Sequence, residues 1–312
     1  MFQIVGVGYS CVDKICTVED FPVEDSSTHI ISKVTQGGGA VATALVAISR
    51  LGVRCAFIGN IGNDKVSDEV IQLFEADGVS TEYMVKRDDC HGLESYVMVN
   101  PANGSRTKFP ERDYNPPIAW DSRLENAIRK AQILHLDGTH YENALNAAKI
   151  AKSHGVLISL DGCSMQKDNE KNCALASMAD ILIMNSKYPL RVSEKDSYEE
   201  ALLEMSTWGP RIVGCTLGED GSRFVINGKV RSFPSYKAQK VVDTTGCGDV
   251  FHGAFLNSYL SGMDLEHCIR FASITVSIKC NMPGGRAGIP NKEQVLKLMV
   301  EKLHKCRKGD KK

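Results

Sequence analysis

The chain predicts an α/β fold: a mostly parallel sheet with helices on both faces and a small β-structure appended to it. Three observations carry this. Short apolar, β-branched runs recur at 3–7, 56–59, 133–136, 156–160, 181–184 and 211–215, the pattern of strands buried on both faces. Helical periodicity fills most of the intervals, at 41–51, 64–76, 143–153 and 198–208, and continues at 250–259, 265–279 and 292–305. Strand, helix and strand in alternation means βαβ units. Finally, two stretches break the rhythm: 14–35 and 83–109 mix β-formers with charges.

Taken in order, the first strand (3–7) leads into the first irregular stretch. The glycines Gly37, Gly38 and Gly39 then feed a helix of small apolar residues, Val41 to Leu51. The strand at 56–59 and the helix at 64–76 precede the second irregular stretch. There, Glu94 to Asn100 alternates like a half-exposed strand and leads to a turn at Asn103 and Gly104. Four strands with intervening helices complete the parallel part. Asn227 and Gly228 mark a late hairpin and hence an antiparallel edge. The irregular stretches, about 14–35 and 83–113, would form either a lid that closes over a ligand or a face for dimerisation.

With 312 residues the chain can bury a full core, and a net charge of -1 lacks the basic field that a nucleic acid or membrane surface would attract. A small-molecule partner is expected. Eleven cysteines show no paired C-x-x-C or metal-ligand spacing, so they read as reduced thiols. The residues from Met1 run directly into strand-like sequence, and no apolar run approaches a bilayer span. A cytoplasmic protein is the expectation.

The chemistry concentrates in Asp243, Thr244, Thr245, Gly246, Cys247, Gly248 and Asp249, which open the apolar helix 250–259. Two glycines at a helix start let successive N–H groups face one concavity, where the helix dipole favours negative charge. A helix-capping aspartate would not need Asp243, Thr244, Thr245 and both glycines around it. Asp249 is therefore read as general base toward a hydroxyl, and the Gly246, Cys247 and Gly248 amides as an anion hole for a transferring phosphoryl group. The loop at Gly37 to Gly39 is a second platform, suited to substrate or to close helix packing. Asp13, after the first strand, can accept hydrogen bonds from sugar hydroxyls or cap a loop. Thr216, Gly218 and Gly221 make a turn that could contact nucleotide. There is no Walker G-x-x-x-x-G-K-[ST], and Gly6-Val7-Gly8 lacks the third glycine of a dinucleotide fingerprint.

Together these residues resemble the ribokinase-like (PfkB) carbohydrate kinase family. Asp243 to Asp249 is similar to its C-terminal signature, Gly38 and Gly39 through Leu51 and Gly52 to its N-terminal one, and Thr216 to Gly218 to its nucleotide loop. The resemblance covers nearly the whole chain and implies one three-layer α/β/α kinase domain over 1–312 with a β-lid, moving the ATP γ-phosphate to a sugar-type hydroxyl with Mg²⁺. It makes Asp249 the base, Gly246 to Gly248 the anion hole, and Asp13, Gly38, Gly39, Thr43 and Asp137 the sugar site. Asn185 joins Thr216, Gly218 and Gly221 on the nucleotide side. Asp243 and Thr245 match the region that binds a monovalent cation through carbonyl oxygens, together with the loop 280–288, so modest activation by K⁺ over Na⁺ is expected. Two positions depart from the pattern: Thr43 replaces an asparagine, and Tyr188 stands where the family's Asn-x-x-Glu has its acid. The C-terminal segment is similar to the branch with sulfofructose kinases, whose sulfonate arginine would fall near Thr139. Arg106 or Lys108 on the lid could instead meet an anionic substrate group. A homodimer through the lid is expected. The competing readings are a nucleoside kinase, with Tyr9, Phe21 and Tyr96 as candidates to sandwich a base, and a catalytically silent sugar-binding regulator.

Overall fold

A computed structural model of the chain describes residues 1–102 and 106–309, with side chains as far as 301. β1 (Ile4–Val7) turns into β2 (Cys11–Val18) and β3 (Ile30–Gly38), which runs straight into α1 (Ala40–Arg50). β4 (Cys55–Ile61), α2 (Lys65–Ala76) and β5 (Ser80–Lys86) follow, then β6 (Glu94–Val99) and β7 (Arg106–Pro110). After α3 (Ser122–Arg129) come β8 (Ile133–Leu136), α4 (Tyr141–Ser153), β9 (Leu157–Gly162), α5 (Asn169–Met178) and β10 (Ile181–Met184). Next are α6 (Tyr188–Ser193), α7 (Tyr198–Met205) and β11 (Ile212–Thr216), and the hairpin β12 (Ser222–Ile226) and β13 (Lys229–Phe233). Three helices close the chain: α8 (Cys247–Leu260), α9 (Leu265–Lys279) and α10 (Lys292–Gly309).

The large sheet runs β13-β12-β11-β10-β9-β8-β1-β4-β5. It is parallel from β11 to β5 and antiparallel at the late hairpin. β1, β8 and β10 are buried at every residue, as strands covered on both faces must be. Successive side chains alternate between the two faces. Ile181 and Ile183 join the core under α1, α8 and α9, while Leu182 and Met184 join the one under α4, α5 and α7. The architecture is therefore three-layered, α/β/α, as expected.

The second sheet, β3-β2-β6-β7, pairs β2 with β6 in parallel and is otherwise antiparallel. It takes less of the second irregular stretch than expected. Residues 83–86 belong to β5, where Tyr83 pairs with Ile58 at the edge of the large sheet. A half-exposed edge strand mixes polar and apolar residues, so its composition resembles that of the appended sheet. The turn expected at Asn103 and Gly104 lies outside the described residues.

Candidate active site

The amino end of α8 builds the centre of the site. Gly246 caps the helix in the left-handed region at φ 71°, where a Cβ would also lie 3.1 Å from the backbone of Gly285. First-turn amides have no intrahelical acceptor. The Cys247 amide, expected in the anion hole, instead turns back to the Thr244 carbonyl at 3.3 Å, which leaves the Gly246 and Gly248 amides of that expectation. A Cβ on Gly248 would meet nothing within 4 Å, so the outer side of the turn is open.

Asp243 holds this loop together. Its Oδ1 accepts from the Thr245 amide and hydroxyl, both at 2.7 Å, and its Oδ2 from the Gly284 amide at 2.8 Å. Burial opposes its charge, yet these hydrogen bonds and the Lys279 cation hold the carboxyl below the usual range. Arg106 reaches across from β7 and donates to Asp243 Oδ1 at 3.2 Å, to Thr244 Oγ1 at 3.0 Å and to Thr245 Oγ1. Its guanidinium thus joins the small sheet to the loop of α8.

Asp249 lies one turn before His252 on α8. Burial, and then the negative charge of Asp161, push its carboxyl up to about 7, against the pull of His252 and Lys108. Asp161, at the end of β9, pairs with His252 Nε2 at 3.2 Å in a buried contact. Beyond it, His135 packs its ring 5.5 Å from that of His252, and burial lowers its titration to about 3, so it stays neutral. A carboxyl poised near neutrality, backed by a neighbouring anion, suits a general base.

Among the residues expected at the acceptor, Gly38 is required by contact: a Cβ there would lie 2.4 Å from Asp13 Oδ2. Gly39, at φ 99°, precedes α1 and brings its backbone against the Tyr9 carbonyl. Thr43 is buried between Arg286, whose Nε lies 3.5 Å from its hydroxyl, and Gly246, so the amino ends of α1 and α8 abut. The small residues of both helices serve this approach, since a Cβ on Gly253 would sit 2.4 Å from the Ala44 carbonyl. Arg286 is buried, donates to the Gly38 carbonyl at 3.1 Å and feels the charges of both Asp13 and Asp249. Burial raises the Asp13 carboxyl above the usual range, opposed by Cys11, Lys108 and Arg286. Asp13 and Asp249 therefore share an electrostatic neighbourhood. Asp137 does different work: fully buried, it accepts from the Tyr9 and Thr139 amides at 3.0 and 2.9 Å and from the Val41 amide at 3.4 Å, pinning the loops after β1 and β8 to the first turn of α1.

Among the residues expected to meet a nucleotide, Asn185 Oδ1 accepts from the Lys187 and Tyr188 amides at 2.9 and 3.0 Å, and its Nδ2 reaches the Cys163 carbonyl at 3.3 Å. It organises the loops after β9 and β10. Thr216 Oγ1 lies 3.5 Å from the Met184 carbonyl. Gly218, left-handed, has open space on its Cβ side, whereas Gly221 packs against the Phe233 carbonyl and shapes the turn. Tyr188 is buried, with its hydroxyl 3.4 Å from the Asn172 carbonyl, so it offers nothing to a metal. A cleft of about 380 Å³ beside α9 and α10 is lined by Lys237, Gln239, Ser277 and Asn281.

Four residues that no motif singled out for a role converge here: Asp161, His252, Lys279 and Arg286. His252 stands inside the stretch after Asp249, Lys279 directly precedes the glycine-rich loop 280–288 and Arg286 lies within it, so proximity in sequence was their only signal. Asp137, Asp161, Asn185 and Thr216 lie at carboxyl ends of parallel strands, where α/β sheets bind ligands.

The pfkB family carbohydrate kinase model matches residues 1–292. A nucleoside kinase from Methanothermobacter thermautotrophicus is 28% identical over 303 residues, covering 95% of this chain and 94% of that one. The structure of Arabidopsis thaliana ribokinase complexed with ribose and ATP superposes with a TM-score of 0.82 at 26% identity, over 95% of this chain and 98% of that one. An Escherichia coli neighbour solved with ATP and Mg²⁺ gives a TM-score of 0.83 at 20% identity, over 96% and 100% of the two chains. The chain belongs to the pfkB family of carbohydrate kinases. It is an ATP-dependent phosphotransferase whose acceptor is a hydroxyl of a sugar or sugar derivative.

Proposed function

We propose that Asp249 is the general base of this transfer and that the Gly246 and Gly248 amides, at the positive end of α8, hold the charge on the transferring group. The observation that carries the reading is geometric: Asp13 packs against Gly38, whose carbonyl accepts from the buried Arg286, and Arg286 reaches Thr43, which abuts Gly246, so a hydroxyl-binding carboxylate stands beside the amino end of α8 that carries Asp249. Asp13 and the backbone at Gly38 and Gly39 orient the acceptor. Asp249 accepts the proton of the attacking hydroxyl as its oxygen bonds to the γ-phosphorus and the bond from that phosphorus to the β–γ bridging oxygen breaks, releasing ADP. The open turn at Gly248 fits a polyphosphate, as does Gly218 with its free Cβ side, and Thr216 stands beside it. ATP supplies the γ-phosphoryl group and Mg²⁺ the countercharge on its oxygens, which Tyr188 cannot help to hold. The Asp137 carboxylate, filled by three amides, stays outside the proposed sugar site. Arg106 acts as a latch between the lid and the α8 loop, leaving Lys108 as the lid cation that faces the acceptor.

The acceptor is a polyol bearing several hydroxyls. A panel of pentoses, hexoses, sugar phosphates and nucleosides, followed by ADP release, identifies it. Turnover with none of them would favour a sugar-binding regulator. Ile30 and Ile31 on the edge strand β3 are 55% and 62% exposed, and Phe109 on β7 is 55% exposed. Exposed apolar side chains on both edge strands of the small sheet support a homodimer through the lid, and a monomer mass in sedimentation at micromolar concentration would exclude it. Among the described residues no helix is long and apolar enough to cross a membrane. We place the reaction in the cytoplasm, where ATP is abundant; export of the intact protein on fractionation would overturn that.

A further inference from the structure

Lys279, the last residue of α9, is among the largest fully buried side chains, with no exposed surface. Its Nζ donates to the Asp243 carbonyl at 3.1 Å and to the Thr245 carbonyl, and lies 4.0 Å from Cys247 Sγ. Burying a lysine nitrogen is costly unless its donors are paired. Here the partners are the two carbonyls on the inner side of the loop whose outer side carries the anion-hole amides. Packing alone does not call for a cation at this place, since a methionine would fill a similar volume.

The carboxylate of the loop is engaged as well. Asp243 accepts from Thr245, from the Gly284 amide and from the Arg106 guanidinium. Each oxygen that the family resemblance assigns to a monovalent metal ion on Asp243 and Thr245 therefore already faces a donor of the protein. A bare ion needs a cage of several oxygens and cannot share two carbonyls with a nitrogen at hydrogen-bond distance. The donor set present does not fit K⁺.

We propose that Lys279 is the resident cation of the anion-hole loop, so that phosphoryl transfer by this protein does not depend on a monovalent metal ion. Lys279 is a positioning residue: it holds the carbonyls of Asp243 and Thr245 inward, which keeps the Gly246 and Gly248 amides turned outward. Its charge sits beneath the place where negative charge gathers during transfer. A tethered cation also cannot be diluted away. The inference rests on the kinase reading of the loop, although its ion preference is measurable without turnover.

The test compares KCl with tetramethylammonium chloride at equal ionic strength, using wild type and Lys279→Met, with turnover on the best acceptor of the panel and thermal melting as separate readouts. Wild type should turn over at equal rates in the two salts and melt at the same temperature. Lys279→Met should lose about tenfold or more in turnover in tetramethylammonium. A Lys279→Ala variant, which vacates the volume that methionine fills, should lose as much, and KCl should restore much of its loss and raise its melting temperature by about 3 °C. A wild type that is stimulated more than about threefold by KCl, or stabilised by it selectively, overturns the proposal, and so does a folded Lys279→Met variant that behaves as wild type in both salts. If that variant fails to fold, the wild-type comparison still decides in both readouts. Absence of turnover by wild type in either salt would sink the kinase reading instead, with melting left to judge the cation.

Discussion

Replacing Asp249 with asparagine should stabilise the protein at alkaline pH while nearly abolishing turnover. In the folded protein this carboxyl is pushed from 3.8 to about 7 by burial and by Asp161. Between those values the folded state keeps a proton that the unfolded chain releases, so stability falls as pH rises through this window and the full cost is present above pH 7. Three units at 1.36 kcal/mol each give a ceiling of about 4 kcal/mol, and relaxation around the Asp161 pair brings the expected gain to about 1–3 kcal/mol. Asparagine keeps the shape and removes the charge, so the variant should gain that amount at pH 8 and almost nothing at pH 4. It cannot accept a proton, so turnover should fall by about 10²–10⁴. Urea unfolding at both pH values, with ADP release measured in parallel, reads both effects. A variant less stable than wild type at pH 8, or within about tenfold of its turnover, would refute the reasoning.

Two further outcomes follow from the same geometry. Gly38→Ala places a Cβ 2.4 Å from Asp13 Oδ2, so the KM for the acceptor should rise while that for ATP holds; an unchanged acceptor KM would remove Asp13 from the sugar site. Asp161→Asn deletes the anion that helps to raise Asp249, so the acid limb of kcat/KM should move to lower pH, and a limb that stays in place would show that Asp161 is not felt by the base.

The parallel strands were legible because burial on both faces writes them as continuous apolar runs, as at Ile181 to Met184. The helices α3, α5 and α6 were not foreseen: they are short, and α5 buries only Asn172, Leu175 and Ala176, too narrow a stripe for a period to emerge. β5 was read into the lid because an edge strand carries charges on its open side. At the site, the glycine turn with Asp249 was readable from local chemistry alone. Lys279 and Arg286 were not, because a cation at a helix end or in a glycine-rich loop ordinarily belongs to solvent, and only the tertiary fold shows that both are buried against backbone carbonyls. Arg106 was read as a candidate for the substrate, whereas the fold turns it onto Asp243, Thr244 and Thr245.

The central claim is that a carboxyl poised near neutrality takes the proton from the acceptor. The pH dependence of kcat/KM for the wild-type enzyme, with MgATP saturating, tests it most directly. Activity should rise with pH through a single ionisation near 7, the value to which burial and Asp161 push Asp249. A profile that is flat from pH 5 to pH 8 would contradict it.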